Sequence, residues 1–406
     1  MGGRCAAWLW VGAGTFMAGI AALPWELDRG SNPVFVSAPE ASENSRRLHA
    51  ELTVVDLHAD SLLWNRDLSS EWWVGHLDLP RLRSSNVGLQ VFSAVTQVPM
   101  GSSYSGTPSN DYDLLAALVV VQRWPVRTWS SAFERAAYQA EKLDALVRDS
   151  AGGLHPVLEA EDLEILARVR SERRDVGAAP IGVLLALEGM HAIEGNLENL
   201  DRLFAMGFRV FGLAHFFDNR IAGSAHGQTR GGLTPLGVRA VSRIEELGGI
   251  VDIAHCSEQT IADVLAVARK PVLVSHSGVF GTCATPRTLK DAQLDAIARA
   301  GGVIGIGLFP GAICGEDPRA VAQAIRYAID RVGPTHVALG SDFDGGVATV
   351  VDAGHWVAIT DALLDAGLSP AEVRAVMGEN ALRFFETHLK RLRGSSEPGR
   401  ENDADG

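Results

Sequence analysis

The stretch "VVDLHADSLLW" (residues 54–64) sets His58 and Asp60 two positions apart, behind a run of branched apolar residues. On a β-strand, residues i and i+2 project to the same side, so imidazole and carboxylate converge at the strand's tip. That pair is a half-site for a divalent cation. The same arrangement, an apolar run followed by a residue able to do chemistry, recurs along the chain. "IGVLLAL" precedes Glu188, "RVFGLA" precedes His215, "GIVDIA" precedes His255, "PVLVS" precedes His276 and "HVALGS" precedes Asp342. A lone histidine at a strand end is more often a hydrogen-bonded structural side chain than a ligand. Repetition of one placement on six strands is what points to a shared site.

His58 with Asp60, and His255 with His276, make two imidazole-rich half-sites, and Glu188 is the carboxylate that can bridge them. Such ligands suit Zn²⁺, with Mn²⁺ or Co²⁺ as alternatives. Two cations lower the pKa of a bridging water and polarise a carbonyl, which is hydrolytic chemistry. Lysine occurs only at Lys142, Lys270, Lys290 and Lys390, none at a strand end, so a lysine-derived bridge is excluded. There is no C-x-x-C zinc pattern among Cys5, Cys256, Cys283 and Cys314, and too few cysteines for a disulfide framework.

The elements that must position these residues are eight short strands, at 53–57, 89–95, 181–187, 209–214, 249–254, 271–275, 303–308 and 336–341. Helical stretches between them carry start and stop signals. Thr234-Pro235 opens one that closes at Gly248, Asp317-Pro318 opens another that closes at Gly333, and Ser369-Pro370 with Glu372 forms a capping box. Eight alternating strand–helix units predict a closed (β/α)8 TIM barrel, whose C-terminal strand ends meet on one face. A doubly wound open sheet is the alternative, but no G-x-G-x-x-G follows any strand. Residues 96–180 form a helical insertion between the second and third strands, patterned around 110–149 and 160–172. With a formal charge of −13 over 406 residues, a nucleic-acid footprint is not expected.

From Cys5 to Pro24 the chain carries no charge, long for a secretory core and enough to span a bilayer. Residues 1–24 are therefore expected to be a signal anchor, or else a cleaved signal peptide. Arg4 before the run and Glu26 and Asp28 after it place the body outside the cytoplasm: membrane-anchored, or secreted or periplasmic after cleavage. Residues 25–47 are expected to be a linker, 48–393 the barrel, and 394–406 a disordered tail.

Taken in order, "DLHAD", "LALEGMH", "GLAHFFDNRIAGSAHGQTRGGLTPLG", "VDIAHCS", "VSHSG", "TPRTL" and "GSDFDG" resemble the membrane dipeptidase (renal dipeptidase) family of zinc peptidases over roughly residues 48–390. The resemblance implies a binuclear-zinc barrel that hydrolyses dipeptides, including some with a C-terminal D-residue. It implies that His58 and Asp60 hold one zinc, that His255 and His276 hold the other, and that Glu188 is shared. By the same resemblance His215 contacts substrate and supports the oxyanion, and Arg287 receives the dipeptide's free carboxylate. Asp342 is implied to handle the protons of nucleophile and leaving amine. By itself Arg287 reads as a loop arginine in a surface salt bridge, and spacing leaves Asp342 and Asp344 open, with the residue nearer the strand end preferred. His191 is a candidate partner behind the ligands, or a structural loop histidine, and His226 a candidate pocket-lining residue. Cys283 and Cys314, in the loops after the sixth and seventh strands, are candidates to pair in an oxidising compartment. The expected partners are a small dipeptide, the membrane through the N-terminal helix, and a second copy as the candidate homodimer. An amidohydrolase acting on N-acyl amino acids or small lactams, or a non-catalytic metal-binding barrel, would use the same residues differently.

Overall fold

Apolar β-branched runs buried on both faces are what a parallel sheet covered by helices requires, and the chain forms one. The computed structural model describes residues 21–35, 40–107, 112–172 and 179–390. Its strands are β1 (Val54–Ala59), β2 (Val87–Val95), β3 (Leu154–Pro156), β4 (Ile181–Glu188), β5 (Phe208–Gly212), β6 (Ile250–Asp252), β7 (Leu273–Ser277), β8 (Val303–Ile306) and β9 (Val337–Leu339). All pair in parallel, in the order β1-β2-β4-β5-β6-β7-β8-β9. A parallel bridge between Ala59 and Phe343 closes the ring. There the Asp60 amide donates to Phe343 O (2.7 Å) and the Asp342 amide to His58 O (3.1 Å). This is the (β/α)8 barrel that the strand–helix alternation predicts.

One core cluster draws on all eight barrel strands, among them Val55, Val91, Leu184, Val210, Ile250, Leu273, Val303 and Ala338, with Phe384 and Phe385 of the C-terminal helix against it. Helix punctuation follows the caps read from the sequence. Thr234 accepts from the Gly237 amide at the head of the helix Pro235–Leu247, and Gly248 ends it at φ 88°, a left-handed turn that glycine adopts freely. Asp317 heads Pro318–Val332, and Ser369 with Glu372 forms the capping box.

The structure adds β3, which lies within the insertion and pairs with β4 from Leu154↔Ile181 onward. Three residues ending in Pro156 are too short for a period-2 signal. The rest of the insertion is helical at Leu114–Val121, Ala132–Asp149 and Ala160–Glu172.

The described residues of the span expected as a linker, 25–35 and 40–47, carry helix. A helix covers 21–31, and a second, Glu43–Ala50, is capped by Ser42. Among the described residues no helix is long and apolar enough to cross a membrane. Residues 1–20, most of the expected anchor, and the tail 394–406 lie outside the described residues. Cys283 and Cys314 are joined in a disulfide, and Cys256 is a buried free thiol.

Candidate metal centre

The seven residues singled out by strand position gather at one end of the barrel. Glu188 is the last residue of β4 and 5% exposed. Its Oε1 stands 3.6 Å from His58 Nε2, 3.2 Å from His255 Nε2 and 3.4 Å from His276 Nε2. Its Oε2 lies 3.5 Å from His215 Nε2. Asp60 Oδ1 is 3.4 Å from His58 Nε2. Candidate ligand atoms fall within 4.8 Å of one another in three overlapping sets: His58–Asp60–Glu188, Glu188–His215–His255 and His58–His276–Asp342. Glu188 is thus common to two sets. His215 and Asp342, expected beside the ligands, stand among them.

Local backbone irregularity aims these side chains. The pairing register shifts between Asp56 and Ala59 in β1 and between Val274 and Ser277 in β7, the two stretches that carry His58 and His276. Such bulges redirect side chains at barrel rims. His58 and His276 therefore lie inside their strands, whereas His215 and His255 lie three residues beyond theirs. His255 and Asp342 both hold left-handed backbone, φ 60° and 63°, a strained state for non-glycine residues that clusters at functional sites.

Behind the ligands are groups that strand-end reading missed. Asp56 accepts from the Ser341 amide and hydroxyl (both 2.7 Å), Gln90 Nε2 (2.8 Å) and the His58 amide (3.3 Å). It ties β1 to β2 and to the turn that bears Asp342. Asp252 accepts from the amides of Ala254 and Ser275 (3.0 Å each), joining the turn before His255 to β7. Ser275 Oγ lies 2.8 Å from His276 Nδ1 and 3.4 Å from His58 Nδ1, a contact that orients metal-facing imidazoles. The echo of "VVDLH" in "VDIAH" was the available signal for the two aspartates. Tyr104 had none: it reaches the site from the insertion, its ring 5.8 Å from Phe216 and 6.3 Å from Phe309.

Asp344 is excluded from the reaction site by its partners. It is fully buried against Arg66, accepts from Ser61 Oγ and receives the His76 amide (2.7 Å). Asp342 is left facing a cavity of about 520 Å³ with Asp60, Glu188, His215 and His255. Arg287 is 3% exposed and is no surface salt bridge. Its Nη2 donates to His276 O (2.7 Å) and lies 3.2 Å from His255 Nε2, while its Nε has no partner. His191 stacks on Phe217 at 4.4 Å and makes no hydrogen bond to a ligand residue. His226 lies 3.1 Å from Tyr104 O through Nδ1, its ring 5.2 Å from those of Phe216 and His255.

These residues fit divalent cations. His58 Nε2 and Asp60 Oδ1 are buried without a hydrogen-bond partner, and His255 Nε2 and His276 Nε2 face each other at 3.0 Å. Burial pushes the Glu188 and Asp60 carboxyls well up and that of Asp342 up to about 7. It drives His215, His255 and His276 well down. Desolvation thus disfavours every charged form, and bound cations compensate it through neutral imidazole and ionised carboxylate.

A family model described as membrane dipeptidase, peptidase family M19, matches residues 42–396. The chain belongs to that family. It is a metal-dependent peptidase of the dipeptidase kind. Dipeptidase verJ of Clonostachys rogersoniana is 28% identical over 323 residues, covering 77% of this chain and 76% of the relative. Among solved structures, the probable dipeptidase PvdM from Pseudomonas aeruginosa superposes with a TM-score of 0.70 at 20% identity, over 85% of this chain and 97% of the other. A metallopeptidase from Rhodobacter sphaeroides, liganded with a phosphinate mimic of the dipeptide L-Ala-D-Ala, gives 0.67 at 24% identity, over 83% and 99%.

Proposed function

We propose that this member is a two-metal dipeptidase, with His58 and Asp60 holding one zinc ion, His255 and His276 the other, and Glu188 shared between them. Mn²⁺ and Co²⁺ suit the same ligands. The observation that carries the reading is the Glu188 carboxylate set among four imidazole nitrogens at 3.2–3.6 Å. When bound, the paired cations lower the pKa of a shared water and polarise the scissile carbonyl.

The remaining work falls to side chains. Asp342, which faces the cavity beside Asp60 and Glu188, takes a proton from the attacking water and returns it to the leaving amine nitrogen. His215, on the same cavity as Glu188 and Asp342, contacts the substrate where negative charge develops on the carbonyl oxygen. Arg287, with its unpartnered Nε, grips the free carboxylate of the dipeptide, which restricts the enzyme to short substrates. The L-Ala-D-Ala mimic held by the Rhodobacter relative supports acceptance of a C-terminal D-residue. The uncharged run 5–24 and the Cys283–Cys314 disulfide support a body held outside the cytoplasm, where disulfides persist. Exclusive recovery of the chain from a cytosolic fraction would contradict that placement.

The deciding experiment measures zinc, manganese and cobalt on the purified chain and assays Ala-Ala and Gly-D-Ala against N-acetyl amino acids. Two metals per chain with turnover of free dipeptides is the expected result. Preference for the acetylated compounds would make it an amidohydrolase, and less than one metal per chain would leave a non-catalytic barrel.

A further inference from the structure

The region matched by the family begins at residue 42, yet residues before it reach the catalytic mouth. Asp28 is 1% exposed and paired with Arg66, whose guanidinium also pairs with Asp344. The Asp344 amide donates to His76 Nδ1 (2.9 Å). That leaves His76 Nε2 as the donor to Pro33 O (3.2 Å). Asn32 donates through Nδ2 to Asp28 Oδ1 (2.7 Å) and accepts the Gly346 amide on Oδ1 (2.9 Å). Farther along, the Phe35 amide donates to Thr349 O and the Thr349 amide to Pro33 O, each 3.0 Å.

Residues 344–349 are therefore clasped by residues 28–35 on one side. On the other, β1 holds Asp342 and Phe343. The clasped turn touches the reacting groups. A Cβ on Gly345 would stand 2.3 Å from Asp342 Oδ1 and 3.1 Å from Asp60 Oδ2. Asp342 and Asp344 keep left-handed backbone at φ 63° and 64°, which residues other than glycine hold only where their neighbours over-determine it. Ser31, Gly345 and Gly346 line the same cavity as Glu188 and Asp342.

We propose that Asp28, Ser31 and Asn32 are working parts of the active site although they precede the family domain. Asp28 and Asn32 are positioning residues that hold the 344–346 turn, and with it Asp342, at the mouth. Ser31 is a wall of the substrate cavity that sets the size of the dipeptide. The proposal rests on the dipeptidase reading of that cavity.

The test uses the full chain with Asn32→Ala, Asp28→Asn and Ser31→Trp, and with Arg29→Ala on the exposed side of the same helix as a control. Asn32→Ala is expected to lower kcat by about tenfold with KM within about twofold, at unchanged metal content. It should speed hydrogen exchange of the amides in 342–349. Asp28→Asn should act in the same direction. Ser31→Trp should raise KM by about tenfold for dipeptides with a bulky N-terminal residue and less for Gly-Gly, while Arg29→Ala matches the parent. Wild-type kcat and exchange in both clasp variants, or losses that only track lost metal, would overturn the proposal. If the parent chain cleaves no dipeptide, it is the dipeptidase reading that fails. The exchange measurement then still decides whether the clasp holds the turn.

Discussion

Replacing Arg287 by alanine tests recognition of the substrate's free carboxylate separately from the metal chemistry. The guanidinium is held in place before any ligand arrives: Nη2 donates to His276 O at 2.7 Å, and its carbon sits 5.6 Å from the Phe309 ring centre. Nε is buried and unpartnered, and a bidentate grip on a carboxylate would pair it with a second guanidinium donor. Each hydrogen bond between charged groups contributes about 1.5–3 kcal/mol, and two together contribute about 3–6 kcal/mol. At about 1.4 kcal/mol per decade, Arg287→Ala should lower kcat/KM for Ala-Ala by a factor on the order of 10² to 10⁴. Ala-Ala amide lacks the carboxylate, so its kcat/KM should fall only a few-fold. Arg287→Lys should recover part of the loss, since an ammonium lacks the planar fork. Steady-state kinetics on both substrates, with metal content measured on the same samples, decides the matter. Equal fold losses on the acid and the amide would refute the reasoning. A loss explained by missing metal would instead place the effect at His255 Nε2, 3.2 Å from Nη2.

His58→Ala and His255→Ala should each abolish hydrolysis and lower bound metal while far-UV circular dichroism stays that of the parent. Full activity in either would be incompatible with the site. Chelation should lower the thermal midpoint more at pH 8 than at pH 5.5. In the metal-free protein burial raises Asp60, Glu188 and Asp342, so these carboxyls bind protons as pH falls and cations must displace them. The lowered histidines stay neutral across that window. Equal shifts at both pH values, read by scanning fluorimetry, would remove this linkage. Asp56→Ala strands the buried donors of Ser341, Gln90 and His58 and should cost about 3 kcal/mol in denaturant unfolding; an unchanged midpoint would show that the network contributes nothing. In unfolded, unreduced protein, two of the four cysteines should react with a thiol reagent, because Cys283 and Cys314 are paired; four reactive thiols would mean the bond is absent.

What could be read from residue order alone was whatever local forces decide. Buried strands announce themselves as apolar runs, and helix ends by side chains that satisfy orphan amides, as Thr234, Asp317 and Ser369 do. A barrel brings all C-terminal strand ends together, so seven residues at the ends of six strands named most of the site before any contact was known. Boundaries moved by one or two residues, and β3 left no periodic trace because three residues cannot carry one. The choice between Asp342 and Asp344 belonged to the tertiary structure: Arg66 and Ser61 claim one carboxylate and leave the other to the cavity. So did the place of Tyr104, which reaches the site from an insertion, and the clasp of Asn32 on Gly346, partners 314 positions apart. Those contacts depend on how separate elements pack. Residue type and short-range spacing carry no record of it, because the partner that decides each one lies on a distant part of the chain.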